Sequence, residues 1–235
     1  MPRFPRIFLL AMTTMSIGTT IFTAGCGTSS SKAQLRVVHA SPDAPNVDAA
    51  VDSKTVLTNV PYETSSSYLS VTAGSTKIEV RPTGTTTDVI SATVPLTAKQ
   101  NYTVLAIGFA TTGKTPAIQP LLLKDDSTTP ASGQIALRAV HASASTGPVD
   151  IYVGAPGSGV GGTPTLTNVA FGTASDYLTV PAGSYEIYVT PTGSKTVALD
   201  SGSLTIAAGA VRTVVALDAP GGGSPLTAIV LKDLN

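Results

Sequence analysis

Apolar and polar residues alternate along most of the chain beyond residue 30. In 77–81, Ile78 and Val80 fall on one side, while Lys77, Glu79 and Arg81 fall on the other. A period of two predicts a half-buried strand. The same pattern predicts strands at 35–40, 47–52, 55–60, 66–71, 89–94, 102–108 and 118–124. Pro42 and Pro45, Ala73-Gly74, and Pro82-Thr83-Gly84 mark turns between them, and the prolines exclude a helix at 41–46. No window after residue 25 carries a helical stripe.

The pattern then returns. Leu35-Arg36 recurs as Leu137-Arg138, and Val38-His39-Ala40-Ser41 as Val140-His141-Ala142-Ser143, at an offset of 102. After a glycine-rich insertion at 154–162 the offset is 109: Leu57-Thr58-Asn59-Val60 matches Leu166-Thr167-Asn168-Val169, Tyr68-Leu69 matches Tyr177-Leu178, and Pro82-Thr83-Gly84 matches Pro191-Thr192-Gly193. Near each end, Leu123-Lys124-Asp125 matches Leu231-Lys232-Asp233. So many ordered matches mean two copies of one domain, over 33–130 and 131–235, with 126–133 as the linker. Seven or eight short strands per copy predict an all-β chain: two tandem immunoglobulin-like antiparallel β-sandwich domains after a signal peptide. Leu96, six residues before Tyr102, has the spacing of a tyrosine corner; Ile206 and Arg212 hold these places in the second copy.

Composition narrows the function classes. Charged residues make up 12% and aromatics 5%, tryptophan is absent, and the formal net charge is zero. No basic patch stands out, which argues against nucleic acid as a partner. The single cysteine excludes an internal disulfide framework and a cysteine-based zinc site.

That cysteine ends the N-terminal segment. Arg3 and Arg6 precede an apolar stretch at 7–22 that is short and broken by Ser and Thr, so 1–25 reads as a signal peptide rather than a membrane span. Thr23-Ala24-Gly25-Cys26 resembles the lipobox of bacterial lipoproteins. The resemblance implies cleavage before Cys26, lipidation of its sulfur and acylation of the new amino group, with 26–32 as a lipidated tether. It also implies a protein lipid-anchored in the cell envelope: outer membrane or periplasmic side in a diderm, cell surface in a monoderm. In a diderm, Gly27 in place of Asp favours the outer membrane over retention at the inner one.

The string His39-Ala40-Ser41-Pro42-Asp43-Ala44-Pro45, with Val47-Asp48 after it, resembles the DUF4397 family of exported bacterial and archaeal domains, often found in tandem. The second copy keeps His141, Ala142, Ser143, Val149 and Asp150 but lacks the Pro-Asp-Ala-Pro core. The resemblance implies export and fold, and no activity.

Both histidines of the chain lie in these strings, each nine residues before an aspartate: His39 and Asp48, His141 and Asp150. A hydrogen bond within such a pair would orient a general base. The alternative, favoured because the pair occurs once per copy, is a bond that fixes the turn. Ser41 or Ser143 would be the nucleophile of a hydrolase, but no G-x-S-x-G elbow accompanies them. Asp43, Asn46 and Asp48 offer oxygens for calcium without the spacing of an EF-hand loop. Asp125-Asp126 reads as a solvated strand end. The glycine-rich 154–164 lacks the Lys-Ser/Thr ending of a phosphate loop and reads as a mobile hairpin loop suited to partner contact. Tyr62, Tyr68, Tyr177, Tyr185 and Tyr188 are candidates for a sugar-binding surface, with cross-strand packing as the alternative. The expected function is non-enzymatic binding, adhesion or envelope structure, without a cofactor. The expected partners are the membrane, through Cys26, and an envelope protein or glycan. The alternatives are a carbohydrate- or solute-binding lipoprotein and, more distantly, an envelope hydrolase using His39 and Asp48.

Overall fold

A computed structural model describes residues 31–234. The signal peptide and Cys26 lie outside the described residues. The first copy contributes β1 (Lys32–Ala40), β2 (Val47–Val51), β3 (Lys54–Val60), β4 (Thr64–Ser65), β5 (Leu69–Thr72), β6 (Gly74–Pro82), β7 (Ile90–Leu96), β8 (Asn101–Ile107) and β9 (Gln119–Asp125). The second contributes β10 (Gln134–His141), β11 (Val149–Gly154), β12 (Leu166–Val169), β13 (Thr173–Ala174), β14 (Leu178–Pro181), β15 (Gly183–Pro191), β16 (Leu199–Ile206), β17 (Val211–Leu217) and β18 (Thr227–Leu234).

Each copy is a two-sheet sandwich. One sheet has the order β3-β2-β6-β7, repeated as β12-β11-β15-β16, and all its pairings are antiparallel. The other has β1 beside β8 and β8 beside β9, with β4 and β5 sharing the far edge of β1; β10, β17, β18, β13 and β14 repeat it. The antiparallel expectation is refined at one pairing per copy. β1 runs parallel to β8, and β10 parallel to β17. Parallel neighbours need a long connection, and nearly the whole copy lies between these strands. The strand expected at 66–71 is instead split into β4 and β5. Between them Ser66 accepts the Val37 N–H with its side chain, at 3.0 Å, and donates its own N–H to the Val37 carbonyl.

The apolar residues of β1 serve two cores. Leu35 and Val37 face inward to Ile78, Val94 and Val104 of the same sandwich. Val38 and Ala40 face the other way, where Leu105, Ile107 and Leu123 meet Val140, Val215, Leu217 and Leu231 of the second copy. The two five-stranded sheets therefore pack against each other, and the molecule is a stack of four sheets. A sheet covered on both faces needs nearly continuous apolar strands, which is why β1 and β8 do not alternate. Each outer, four-stranded sheet turns one face to the core of its own sandwich.

The tyrosine-corner spacing has its hydrogen bond. The Thr97 N–H donates to the Tyr102 hydroxyl at 3.1 Å, and Leu96 is buried beside the ring. In the second copy Arg212 donates instead to the carbonyls of Val211 and Leu234.

Candidate functional site

The expected His39–Asp48 hydrogen bond is not formed, because β1 and β2 lie in different sheets. His39 is fully buried and its Nε2 donates to the Pro45 carbonyl at 3.0 Å, while Nδ1 faces the Ser41 N–H at 3.4 Å. A carbonyl only accepts, so Nε2 carries a proton, and Nδ1, which accepts from the Ser41 N–H, carries none; the ring is neutral. His141 donates in the same way to Gly147, at 3.1 Å; its Nδ1 has no hydrogen-bond partner among the described residues. Burial lowers the pKa of both rings, with the carbonyl contact opposing it. Tyr62 and Phe171 pack edge-on against the two rings. Each histidine thus bridges its turn from inside, out of contact with solvent.

Asp48 and Asp150 do a different job. Asp48 Oδ1 accepts the Asn59 N–H at 2.8 Å and the Thr83 hydroxyl at 2.9 Å. Asp150 accepts the Asn168 N–H at 2.9 Å and the Gly193 N–H at 3.0 Å. Asn59 and Asn168 have φ of 55° and 54°, a left-handed conformation that Asn tolerates better than most residues. One carboxylate per copy therefore ties together the repeated Val-Asp, Leu-Thr-Asn-Val and Pro-Thr-Gly strings. Donation from the Asn59 amide holds the Asp48 carboxyl below the ordinary aspartate range, and the Gly193 and Asn168 amides do so for Asp150.

The remaining serine and aspartate candidates are also engaged in the turns. Ser41 donates to the Gly108 carbonyl at 2.6 Å. Asp43 accepts the Ala110 N–H at 2.6 Å and the Thr111 N–H at 3.3 Å, and pairs with Lys114 at 3.3 Å. Asn46 donates to Asn59 Oδ1. Asp43 therefore ties the first turn to the loop after β8. In the second copy the tie is reversed. Asp218, which follows β17 as Gly108 follows β8, accepts from Ser143, from the Ala144 N–H at 2.8 Å and from both the N–H and the hydroxyl of Ser145. A side chain could not occupy Gly108: its φ is +92°, and a Cβ there would lie 2.5 Å from the Ala117 carbonyl oxygen.

A further site lies at the seam between the sandwiches. Asp125 is not a solvated strand end; it is buried. Arg36 of β1 donates to the Thr103 hydroxyl at 2.9 and 2.7 Å, to the Lys232 carbonyl at 2.9 Å, and to Asp233. Arg138 of β10 mirrors it, donating to Thr213 at 2.9 Å, to the Lys124 carbonyl at 3.0 Å and to Asp125 at 2.5 Å. The Tyr68 hydroxyl donates to Asp125 and the Tyr177 hydroxyl to Asp233, both at 2.8 Å. Each ring also lies under the arginine of its own copy, at 4.8 and 4.6 Å. Burial, then the neighbouring carboxylate, pushes both phenol pKa values far up. Tyr68 and Tyr177 are therefore seam residues. The signal for this site was available in the repeats: Arg36 and Arg138 each sit inside an apolar strand, and an isolated buried charge needs a partner.

Fold and sites together describe a tandem of β-sandwich modules fused back to back. The chain belongs to the family described as "Domain of unknown function (DUF4397)", whose profile matches residues 33–152 and 153–235. No curated protein matches it. Among solved structures, the chain is similar to CBMbc (family CBM26) from Eubacterium rectale Amy13K in complex with maltoheptaose, at 12% identity and a TM-score of 0.27 over 85% of this chain and 96% of that one. It is also similar to a structure described as "Alpha-glucan binding by a streptococcal virulence factor", at 12% identity and a TM-score of 0.25, over 73% of this chain and 87% of that one. Overlaps this loose carry no argument about ligand.

Proposed function

We propose that this chain is a non-catalytic, lipid-anchored module of the cell envelope, which presents binding surfaces on a rigid double sandwich. The observation that carries the reading is how the polar groups are used. His39 and His141 close turns, Asp48 and Asp150 tie strands, and Arg36, Arg138, Asp125 and Asp233 join the two copies. Groups so engaged give shape and rigidity, and leave recognition to the outer sheet faces and end loops. The lipobox-like ending at Cys26 supports the anchor, and more than one acyl chain gives stable membrane attachment.

The test is fractionation of bacteria expressing the full chain. The wild type should sediment with membranes, require detergent for extraction and show an intact mass raised by lipid on Cys26. Cys26→Ser should abolish the added mass and release the protein. A wild type that stays soluble and unmodified would refute the anchor. Pull-down from envelope fractions and a glycan array then separate a protein partner from a glycan.

A further inference from the structure

The main difference between the copies lies on the outer face of the second copy's four-stranded sheet. Ile151, Ile187 and Val189 point into the core, so Tyr152, Glu186 and Tyr188 point out. Tyr152 and Tyr188 are direct register partners. In the first copy Ala50 and Glu79 hold this position, and no insertion follows β2.

The glycine-rich insertion lies over this tyrosine pair as a strap. The Gly157 N–H donates to the Glu186 carboxylate, and Lys195 Nζ donates to the Gly162 carbonyl at 2.8 Å. Under the strap Tyr152 and Tyr188 are only 6% and 7% exposed. The strap does not close onto the sheet. A cavity of about 220 Å³ remains, lined by Tyr152, Gly154, Ser158, Gly159, Gly162 and Thr165 among others. Lys195 Nζ donates to the Tyr152 hydroxyl at 3.0 Å and lies 4.8 Å from the ring centroid, which places the ammonium at the hydroxyl end of the ring.

We infer that this cavity binds a single neutral sugar ring; the inference rests on the reading of the chain as a binding module and gives that module a site. Tyr152 lines the wall of the cavity with the small part of its ring that the strap leaves open. Around it stand the Ser158 and Thr165 hydroxyls and the backbone of three glycines, of which Gly159 and Gly162 leave open space where a side chain would stand and let a ligand approach the main chain. A narrow apolar wall, from Tyr152 and Val153, within a polar rim suits a small molecule with an apolar ring and hydroxyls around its edge. Lys195 is offset by Glu186 on the same face, which argues against a strongly charged ligand. The volume admits one ring, so the ligand is a monosaccharide or the terminal unit of a glycan.

The test is a titration of the ¹⁵N-labelled full chain in detergent with glucose, galactose, mannose and N-acetylglucosamine, followed by amide correlation spectra. At least one sugar should shift the amides of 154–163 and β11 in a saturable way, with millimolar affinity. Lys195→Met should weaken it by about tenfold, equivalent to about 1.4 kcal/mol. Ser158→Phe should abolish it by filling the cavity from an exposed position, with the remaining spectrum unchanged. Shifts confined to other parts of the chain would overturn this site and leave the binding module standing. Absence of shifts with all four sugars, or binding indifferent to Ser158→Phe, would overturn the inference and leave the strap as a cover for the tyrosine pair. Neither result bears on the anchor, which fractionation tests separately.

Discussion

Arg36 donates to the carboxylate of Asp233, 197 residues further along the chain, with 4% and 0% of their side chains exposed. Arg138 and Asp125 make the reciprocal contact. Removing one partner leaves the other charge buried without compensation, which costs about 3–5 kcal/mol. Arg36→Met should therefore lower the thermal midpoint by about 2–4 °C for each kcal/mol lost. Arg138→Met should match it, since the two networks mirror each other. Calorimetry would check both, and a midpoint equal to wild type would show that the seam does not depend on these charges.

The seam also predicts how half of the molecule behaves. A chain ending after β9 exposes Val38, Ala40, Leu105 and Ile107 on one sheet face, together with Arg36. Exposed apolar patches of this kind drive association. Light scattering on the isolated first copy should show dimers or aggregates, and a stable monomer would contradict a shared core.

Acid should act in two stages. The folded histidine pKa values lie below 6.5 because burial disfavours the charged ring. A depressed folded pKa means that this stability is full above 6.5 and is lost as pH falls through the folded value. The thermal midpoint should thus decline between neutral pH and pH ~5, where unfolded histidine is protonated and carboxylates are still charged. His39→Gln with His141→Gln should flatten that decline. Asp48 and Asp150 are likewise depressed from 3.8 and add a second loss at lower pH. A midpoint constant down to the carboxylate range would contradict the buried neutral rings.

The two turn ties should differ in strength. Asp218 is fully buried and receives hydrogen bonds from three consecutive residues, Ser143 to Ser145. Asp218→Ala leaves buried donors unpaired, at about 1–3 kcal/mol. The Asp43 side chain is 8% exposed and sits beside the exposed Lys114, nearer to water than Asp218, so Asp43→Ala should cost less. Denaturant melts of the two variants would test the order; equal losses would mean that burial does not decide the difference.

The repeated strings revealed the duplication, and the strand alternation revealed the sandwiches. What those strings do could not be read from them. His39 and Asp48 are close in sequence, which suggested a pair, but the Pro-rich turn carries the chain from one sheet to the other and gives each its own partners. Asp125 looked solvated because its strand runs into a polar linker. Its partner, Arg138, is on the other copy, and strand periodicity contains no information about which face a second domain covers. The glycine-rich insertion was legible as an asymmetry, but its place over Tyr152 and Tyr188 depends on the register of β11 with β15.

The two sandwiches meet as two subunits of a dimer would, but on one continuous chain. A separable dimer comes apart when diluted; here the second half stays at a fixed, high effective concentration beside the first. Joining the halves has another effect. In a dimer of identical subunits a substitution on one outer face appears on both. In this chain one outer sheet carries tyrosines and a strap while the other carries Ala50 and Glu79, and the seam that joins them does not depend on either.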